Sequence, residues 1–341
     1  MVDNDSVPTL ADVAGEAGVS LSTASRALHG KTPVRPATRR RVELAARRLG
    51  YEPNRLARSL RTRSSTLVGM IVPDVGIGFY ARTVKGAQNV LERAGYNVLV
   101  MNTERSPDRE AAALRTLLAH RVDGVLVATS GGFEPAARVP VVFFDNLLPA
   151  AGVANVARAN REGMALLVNH LVEAHDHSRI AYIGGPASLT SGIERLEGLR
   201  AALARHGAAA ADEYVRFGDP VWSAASGGEA MRALLELEPR PTAVVAAADT
   251  FALGAMEAIR SAGMRVPDDV ALVSFDDPFF GDLLDPPLTA LARNERELGE
   301  LAAALLLHAL QTGALGPPTE VRLPEELVVR RSCGCGSGSR G

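Results

Sequence analysis

The sequence predicts an α/β protein with a small all-α unit at its N-terminus and a two-lobed core of parallel sheets behind it. Three observations carry that expectation. Residues 9 to 29, TLADVAGEAGVSLSTASRALH, read as two short helices joined by a tight turn. From Thr66 onward, near-continuous apolar runs of strand length alternate with helical stretches, as buried parallel strands do. The alternation then occurs a second time, which implies two lobes.

In order along the chain, Thr9 is a good N-cap with Asp12 three residues on, and Leu10, Val13, Ala14 and Ala17 follow at helical spacing. Gly18 supplies the turn and Ser20 caps a second helix. At about 100° per residue, Ala24, Ala27 and Leu28 gather on one side of that helix and Leu21, Ser22, Ser25, Arg26 and His29 on the other. The second face is small, polar and basic, and a helix of that kind fits a DNA major groove. An amphipathic helix pair with a glycine turn is, on these features alone, more often plain bundle packing. Pro36 starts a third helix with Val42, Ala45, Ala46 and Leu49 as its buried stripe, and Gly50 ends it. The segment RLARSLR beyond Asn54 favours a helix of about two turns, too short to persist alone in water.

The strand-like runs are TLVGMIVPD, YNVLVMN, DGVLVAT and VPVVFFD, followed by RIAYIGG, EYVRFGD, TAVVAAAD and VALVSFDD. Helical stretches separate them, and a last helix near 294 to 311 and strands after Glu320 return to complete both lobes. In such sheets ligand chemistry collects at the carboxyl ends of the strands.

Composition bounds the function classes. The chain has 341 residues, 47% hydrophobic and 22% charged, ordinary for a globular protein. It holds no apolar run near the roughly 20 residues that cross a bilayer, and the start MVDNDSVP has no apolar signal core, so a cytoplasmic protein with no membrane partner is expected. The net charge of −2 is unevenly divided: residues 1 to 63 hold 12 basic and 6 acidic side chains, leaving −8 for the other 278. A basic head on an acidic body suits a protein whose head alone meets a polyanion.

TLADVAGEAGVSLSTASRALHG resembles the headpiece of the lactose/galactose-repressor (LacI/GalR) family, and VRPATRRRVELAARRLGYEPNRLARSLRTRSS resembles its continuation through the third helix and hinge. HLVEAHDHSRIAYIGG, SGIERLEGLRAAL, VWSAASG and VALVSFDD extend the likeness to about Arg331. The resemblance implies a helix-turn-helix headpiece over 1–52, a hinge helix and linker over 53–64, and a periplasmic-binding-protein-like core over 65–331. The core chain would cross between lobes three times, with an N-lobe of about 65–160 and 291–322 and a C-lobe of about 161–290 and 323–331. It implies double-stranded DNA as a partner, read as a near-palindromic operator by a homodimer, with contacts from Thr9, Ser20, Leu21, Ser22, Ser25, Arg26, His29, Asn54, Arg55 and Leu60, the last matching a leucine wedged into the minor groove. It implies a small-molecule effector, a sugar or related metabolite, held by Phe79, Tyr80, Ser130, Ser191, Arg195, Trp222 and Asp276. No heptad repeat follows Arg331 to make a tetramer. The family usually has Ser where Arg35 stands, and Asn-Asp where this chain has Ala248-Asp249, so Asp249 reads mainly as a helix N-cap.

Other chemistry reads weakly. Gly76-Ile77-Gly78-Phe79-Tyr80-Ala81 fits a dinucleotide fingerprint, but Asn102 stands where a ribose-binding acid is wanted, so no cofactor is expected. His170, His175 and His177 are spaced five and two apart, not three or four, and read as structural rather than as metal ligands. Cys333 and Cys335, in a C-terminal tail over 332–341 expected to be disordered, are too few for a zinc site. Nucleophile elbow, HExxH and Walker loop are all missing from the sequence, so no enzyme is expected; Asp276-Asp277 could pose as paired acids.

Overall fold

The computed structural model describes residues 8–29, 34–51, 64–131, 139–148, 153–208, 210–292, 294–313 and 319–336. The chain divides into two compact units, residues 1–65 and 66–341.

In the first unit, α1 (Leu10–Glu16), α2 (Leu21–His29) and α3 (Pro36–Leu49) close a core of small residues. Val13, Ala14, Ala17, Ala24, Ala27, Val42, Ala45 and Ala46 are all buried, and side chains this small let three short helices approach closely. The start of α1 is a capping box: the Thr9 hydroxyl accepts from the Asp12 amide and the Asp12 carboxylate accepts from the Thr9 amide. That pairing holds the Asp12 carboxyl below its ordinary value. The first turn of α3 has proline but no side-chain cap, because its N-cap residue is Arg35. Residues 52–63, which hold Asn54, Arg55 and Leu60, lie outside the described residues, as does nearly all of the expected hinge.

The second unit carries two six-stranded sheets. The N-lobe sheet comprises β1 (Leu67–Val72), β2 (Asn97–Asn102), β3 (Gly124–Val127), β4 (Val141–Phe144), β5 (Ala154–Arg158) and β11 (Thr319–Leu323), all parallel, in the order β11-β5-β4-β3-β1-β2. Val68, Met70 and Val72 of β1 pack with Leu298, Ala302 and Leu306 of α10 (Glu295–Thr312) on one face. Ile71 packs with Ala113 and Leu117 of α5 (Pro107–Ala119) on the other. The period-2 alternation of a strand thus serves two cores. Helix α4 (Gly78–Arg93) opens after β1.

The C-lobe sheet runs β12-β10-β9-β8-β6-β7, from β6 (Ile180–Gly184), β7 (Val215–Phe217), β8 (Ala243–Ala246), β9 (Ala271–Ser274), β10 (Thr289–Leu291) and β12 (Leu327–Val328). Only β12 is antiparallel to its neighbour. Helices α6 (Asn160–Glu173), α7 (Thr190–Arg205), α8 (Ala224–Leu235) and α9 (Asp249–Ser261) cover it. The chain passes between the sheets three times, between β5 and β6, between β10 and β11, and between β11 and β12, and in each sheet the strand order reverses about the first strand, the topological switch point where ligand crevices form.

Two expectations need correction. Residues 332–336 are not a disordered tail: Ser332 and Cys333 are buried, the Ser332 hydroxyl donates to the Leu272 carbonyl (2.6 Å), and it accepts from the Thr289 amide (2.8 Å). Residues 337–341 lie outside the described residues. Asp249 is not the N-cap of α9, a position taken by Ala248 without a side-chain bond; Asp249 begins the helix and accepts from the Thr250 amide at 2.7 Å.

Candidate functional site

Two surfaces hold the residues singled out from sequence. On the first unit, the packing of Ala24 and Ala27 turns the opposite face of α2 outward: Leu21 is 54% exposed, Ser22 and Arg26 are exposed, and Ser25 is half-buried. Arg26 Nε donates to the Ser22 carbonyl at 3.1 Å, which lays the arginine along its own helix. Ser20 Oγ accepts from the Thr23 amide at 3.2 Å and so caps α2. His29 is its last residue. Thr9 is exposed but committed to the capping box.

The second surface is a cleft in the core, of about 560 Å³ with its open solvent included. Most of its lining side chains follow strand ends. Phe79 and Tyr80 come after β1, Arg105 after β2, and Asp145 and Asn146 after β4; Ser191 comes after β6, Trp222 after β7, Asp249 after β8 and Asp276 after β9. Arg82 on α4, Arg195 on α7, Thr250 on α9 and Glu295 at the start of α10 complete the polar lining. Six of the seven residues expected at an effector site therefore meet: Phe79, Tyr80, Ser191, Arg195, Trp222 and Asp276. Ser130 does not line the cleft, because its amide is held by Glu110 of α5 at 2.9 Å, whose other oxygen takes the Thr129 hydroxyl at 2.7 Å.

Three buried or half-buried arginines, Arg82, Arg158 and Arg195, each face a carboxylate. Arg195, 4% exposed, donates to Asn160 Oδ1 (3.0 Å) and to the Ala247 carbonyl, lies 3.8 Å from Asp276, and stacks 3.8 Å from the centre of the Phe275 ring. Arg158 is fully buried, bridging Asp276 to Glu325 with a two-pronged contact to the latter. Arg82 meets Glu295 at 2.8 Å. Tyr80 donates to Asp145 at 2.9 Å, and burial raises both their pKa values. Burial and the nearby Asp276 push Asp249 up to about 6.

One face of the cleft is apolar. Trp222 sits in left-handed backbone (φ 58°), stacked on Phe251 with ring centres 5.2 Å apart. A side chain at Gly185 would fall 2.0 Å from the indole, so glycine is required for the ring to lie there. Hydrogen bonds join the lobes at the cleft: Asn146 Oδ1 accepts from the amide (3.2 Å) and hydroxyl (2.9 Å) of Ser191. An Arg–Asp pair beside an aromatic face suits a polyol, with charge-assisted hydrogen bonds fixing hydroxyls and the flat ring covering apolar sugar edges. Asp145, Asn146, Arg105 and Glu295 escape the sequence reading as ligand groups; the rule that chemistry gathers at strand ends marks the first three.

Comparison with known proteins follows the same division. Residues 9–54 match the model for bacterial regulatory proteins of the lacI family, and residues 168–333 match that for a periplasmic binding protein-like domain. The HTH-type transcriptional regulator CelR of Thermobifida fusca is 36% identical over 338 residues, covering 95% of this chain and 98% of CelR. A lac repressor dimer bound to operator and the anti-inducer ONPF superimposes with a TM-score of 0.85 at 31% identity, covering 96% of this chain and 99% of that one. A CelR–cellobiose complex does so with a TM-score of 0.73 at 33% identity, covering 95% and 99%.

Proposed function

The chain belongs to the lacI family of bacterial regulatory proteins, and on that basis we propose that it is a homodimeric, sequence-specific DNA-binding repressor whose operator affinity is set by a neutral sugar in the core cleft. The observation that carries the reading is the cleft, where Arg195 and Asp276 face Trp222 across a space lined by strand ends. A neutral sugar is favoured over a phosphorylated one because Arg82 and Arg195, two of the three arginines lining the cleft, each already face a carboxylate, with which an anionic ligand would have to compete. CelR, the relative in complex with cellobiose, is itself a sugar-binding regulator.

On the DNA side, α2 enters the major groove. Arg26 makes a bidentate contact to guanine, Leu21 meets a thymine methyl, and Ser22 serves several bases. Leu60 acts as a minor-groove wedge, and Asn54 and Arg55 meet the backbone beside it.

Arg195 also provides a path for coupling. Asn160, whose Oδ1 it holds, donates to Glu194 (2.9 Å), and Glu194 takes both terminal nitrogens of Arg322 (2.6 and 2.7 Å) on the returning strand β11. A ligand that moves Arg195 therefore acts on a network joining both lobes, which is how differential binding becomes a population shift.

The test is a selection from randomised duplexes with the full-length protein, repeated after exchanging Leu21 and Ser22 for another family member's pair. A near-palindromic site whose half-site changes with the exchange is expected. An unchanged half-site would remove α2 as the reader.

A further inference from the structure

Outside the cleft, four metal-ligating side chains converge where no role has been assigned. His170 lies on the last turn of α6, His175 just beyond that helix, and Cys333 and Cys335 follow β12 at the end of the chain. Their ligand atoms all lie within 4.8 Å of one another. We propose that they form a structural metal site of Cys2His2 type for Zn²⁺ or an ion of the same coordination chemistry.

The spacing supports it. A tetrahedral zinc with sulfur at about 2.3 Å and nitrogen at about 2.0 to 2.1 Å sets nitrogen–sulfur edges of about 3.6 Å. His170 Nε2 stands 3.3 Å from Cys333 Sγ and 3.7 Å from Cys335 Sγ, and His175 Nε2 stands 3.3 Å from Cys335 Sγ. The backbone is arranged to make this possible: Gly334, between the cysteines, has φ 108°, and a side chain there would fall 3.1 Å from His175 Nδ1. Ser332 anchors the tail through Leu272 and Thr289, and the Thr289 hydroxyl lies 3.2 Å from Cys333 Sγ, an outer partner that orients the sulfur. The cluster also sits at the carboxyl end of α6, where the helix dipole favours a cation. His177 is not part of it, since its Nδ1 is paired with Thr242 at 3.0 Å.

Neither half is a site alone. Two histidines five residues apart and a C-x-C tail each offer two ligands, and the fold brings the halves together across about 160 residues. Four protein ligands leave no open position, so the ion would be structural, clamping the chain end to the C-lobe.

The experiment is a cobalt titration of the reduced full-length protein under anaerobic conditions. The proposal expects the visible bands of tetrahedral cobalt together with a thiolate-to-cobalt charge-transfer band, saturating at one ion per chain and bleached by zinc. Zinc at a hundredfold excess over its Kd should raise Tm by about 5 °C or more. Cys335→Ser and His175→Gln, chosen because Cys335 and His175 are half-buried whereas Cys333 is buried, should weaken binding by well over about a hundredfold, the upper end of an outer-sphere loss, while the metal-free Tm stays put. Absence of the charge-transfer band would overturn the site. So would a band unchanged in both variants, or a Cys333–Cys335 disulfide that persists under reduction in place of metal binding.

Discussion

Arg158 shows how residues remote in sequence determine the cleft. Its partners Asp276 and Glu325 lie 118 and 167 residues away, and no periodicity or spacing announces that the three will meet. Asp276, Arg195 and Trp222 were visible in the sequence through the segments that carry them; Arg158 and Glu325 were not, because they act by holding Asp276 rather than by sitting in a motif. Removing the buried arginine leaves Glu325 without its partner and Asp276 with only the more distant Arg195, so Arg158→Met should cost about 3 to 5 kcal/mol in chemical denaturation. A loss under about 1 kcal/mol would mean that water reaches the site. Asp249 behaves oppositely. Burial and Asp276 raise its pKa from 3.8 to about 6, so the folded state favours its protonated form. The stability it contributes is complete below about pH 4 and is lost as pH rises through about 6. Asp249→Asn cannot ionise, and should be more stable than the parent at pH 7.5 by at most about 3 kcal/mol, with the gain gone near pH 4. A variant less stable than the parent at pH 7.5 would show that the carboxylate is compensated there.

At the level of elements, α1 to α3 were legible because their signals are local. Thr9 with Asp12 makes the capping box, Pro36 opens α3, and Gly50, at φ 65°, closes it. Arg35 was legible too, as a missing cap, and the structure has no side-chain bond at that position. Arg35→Ser should therefore stabilise the first unit by about 1 kcal/mol, read as a rise in its thermal midpoint. No rise would mean that the first turn of α3 is satisfied by water. The long apolar strands were equally plain, whereas β5 (ANVAR), β10 and β12 are short or polar and gain their place from neighbours already in the sheet. The end of the chain misled most. Its composition, CGCGSGSRG, is that of a disordered tail, yet Ser332 and Cys333 are buried because two strands offer them hydrogen-bonding partners.

For the whole molecule, a basic head of net +6 with an outward helix face, and an acidic core with a cleft at its strand ends, describe a protein that binds two unlike ligands. Reciprocity requires that if the sugar changes operator affinity, the operator changes sugar affinity by the same factor. Comparisons of this kind need a fixed ionic strength, because neutralising each phosphate gives a slope near −0.9 in log K against log salt. The most direct measurement is the operator Kd of the full-length protein at one salt concentration, with and without a saturating sugar identified by thermal shift, in the parent and in Asp276→Asn. A change of at least about tenfold in the parent, about 1.4 kcal/mol of coupling, is expected, with loss of that response in Asp276→Asn while sugar-free operator binding is kept. An operator Kd indifferent to a sugar that demonstrably occupies the parent's cleft would contradict the account.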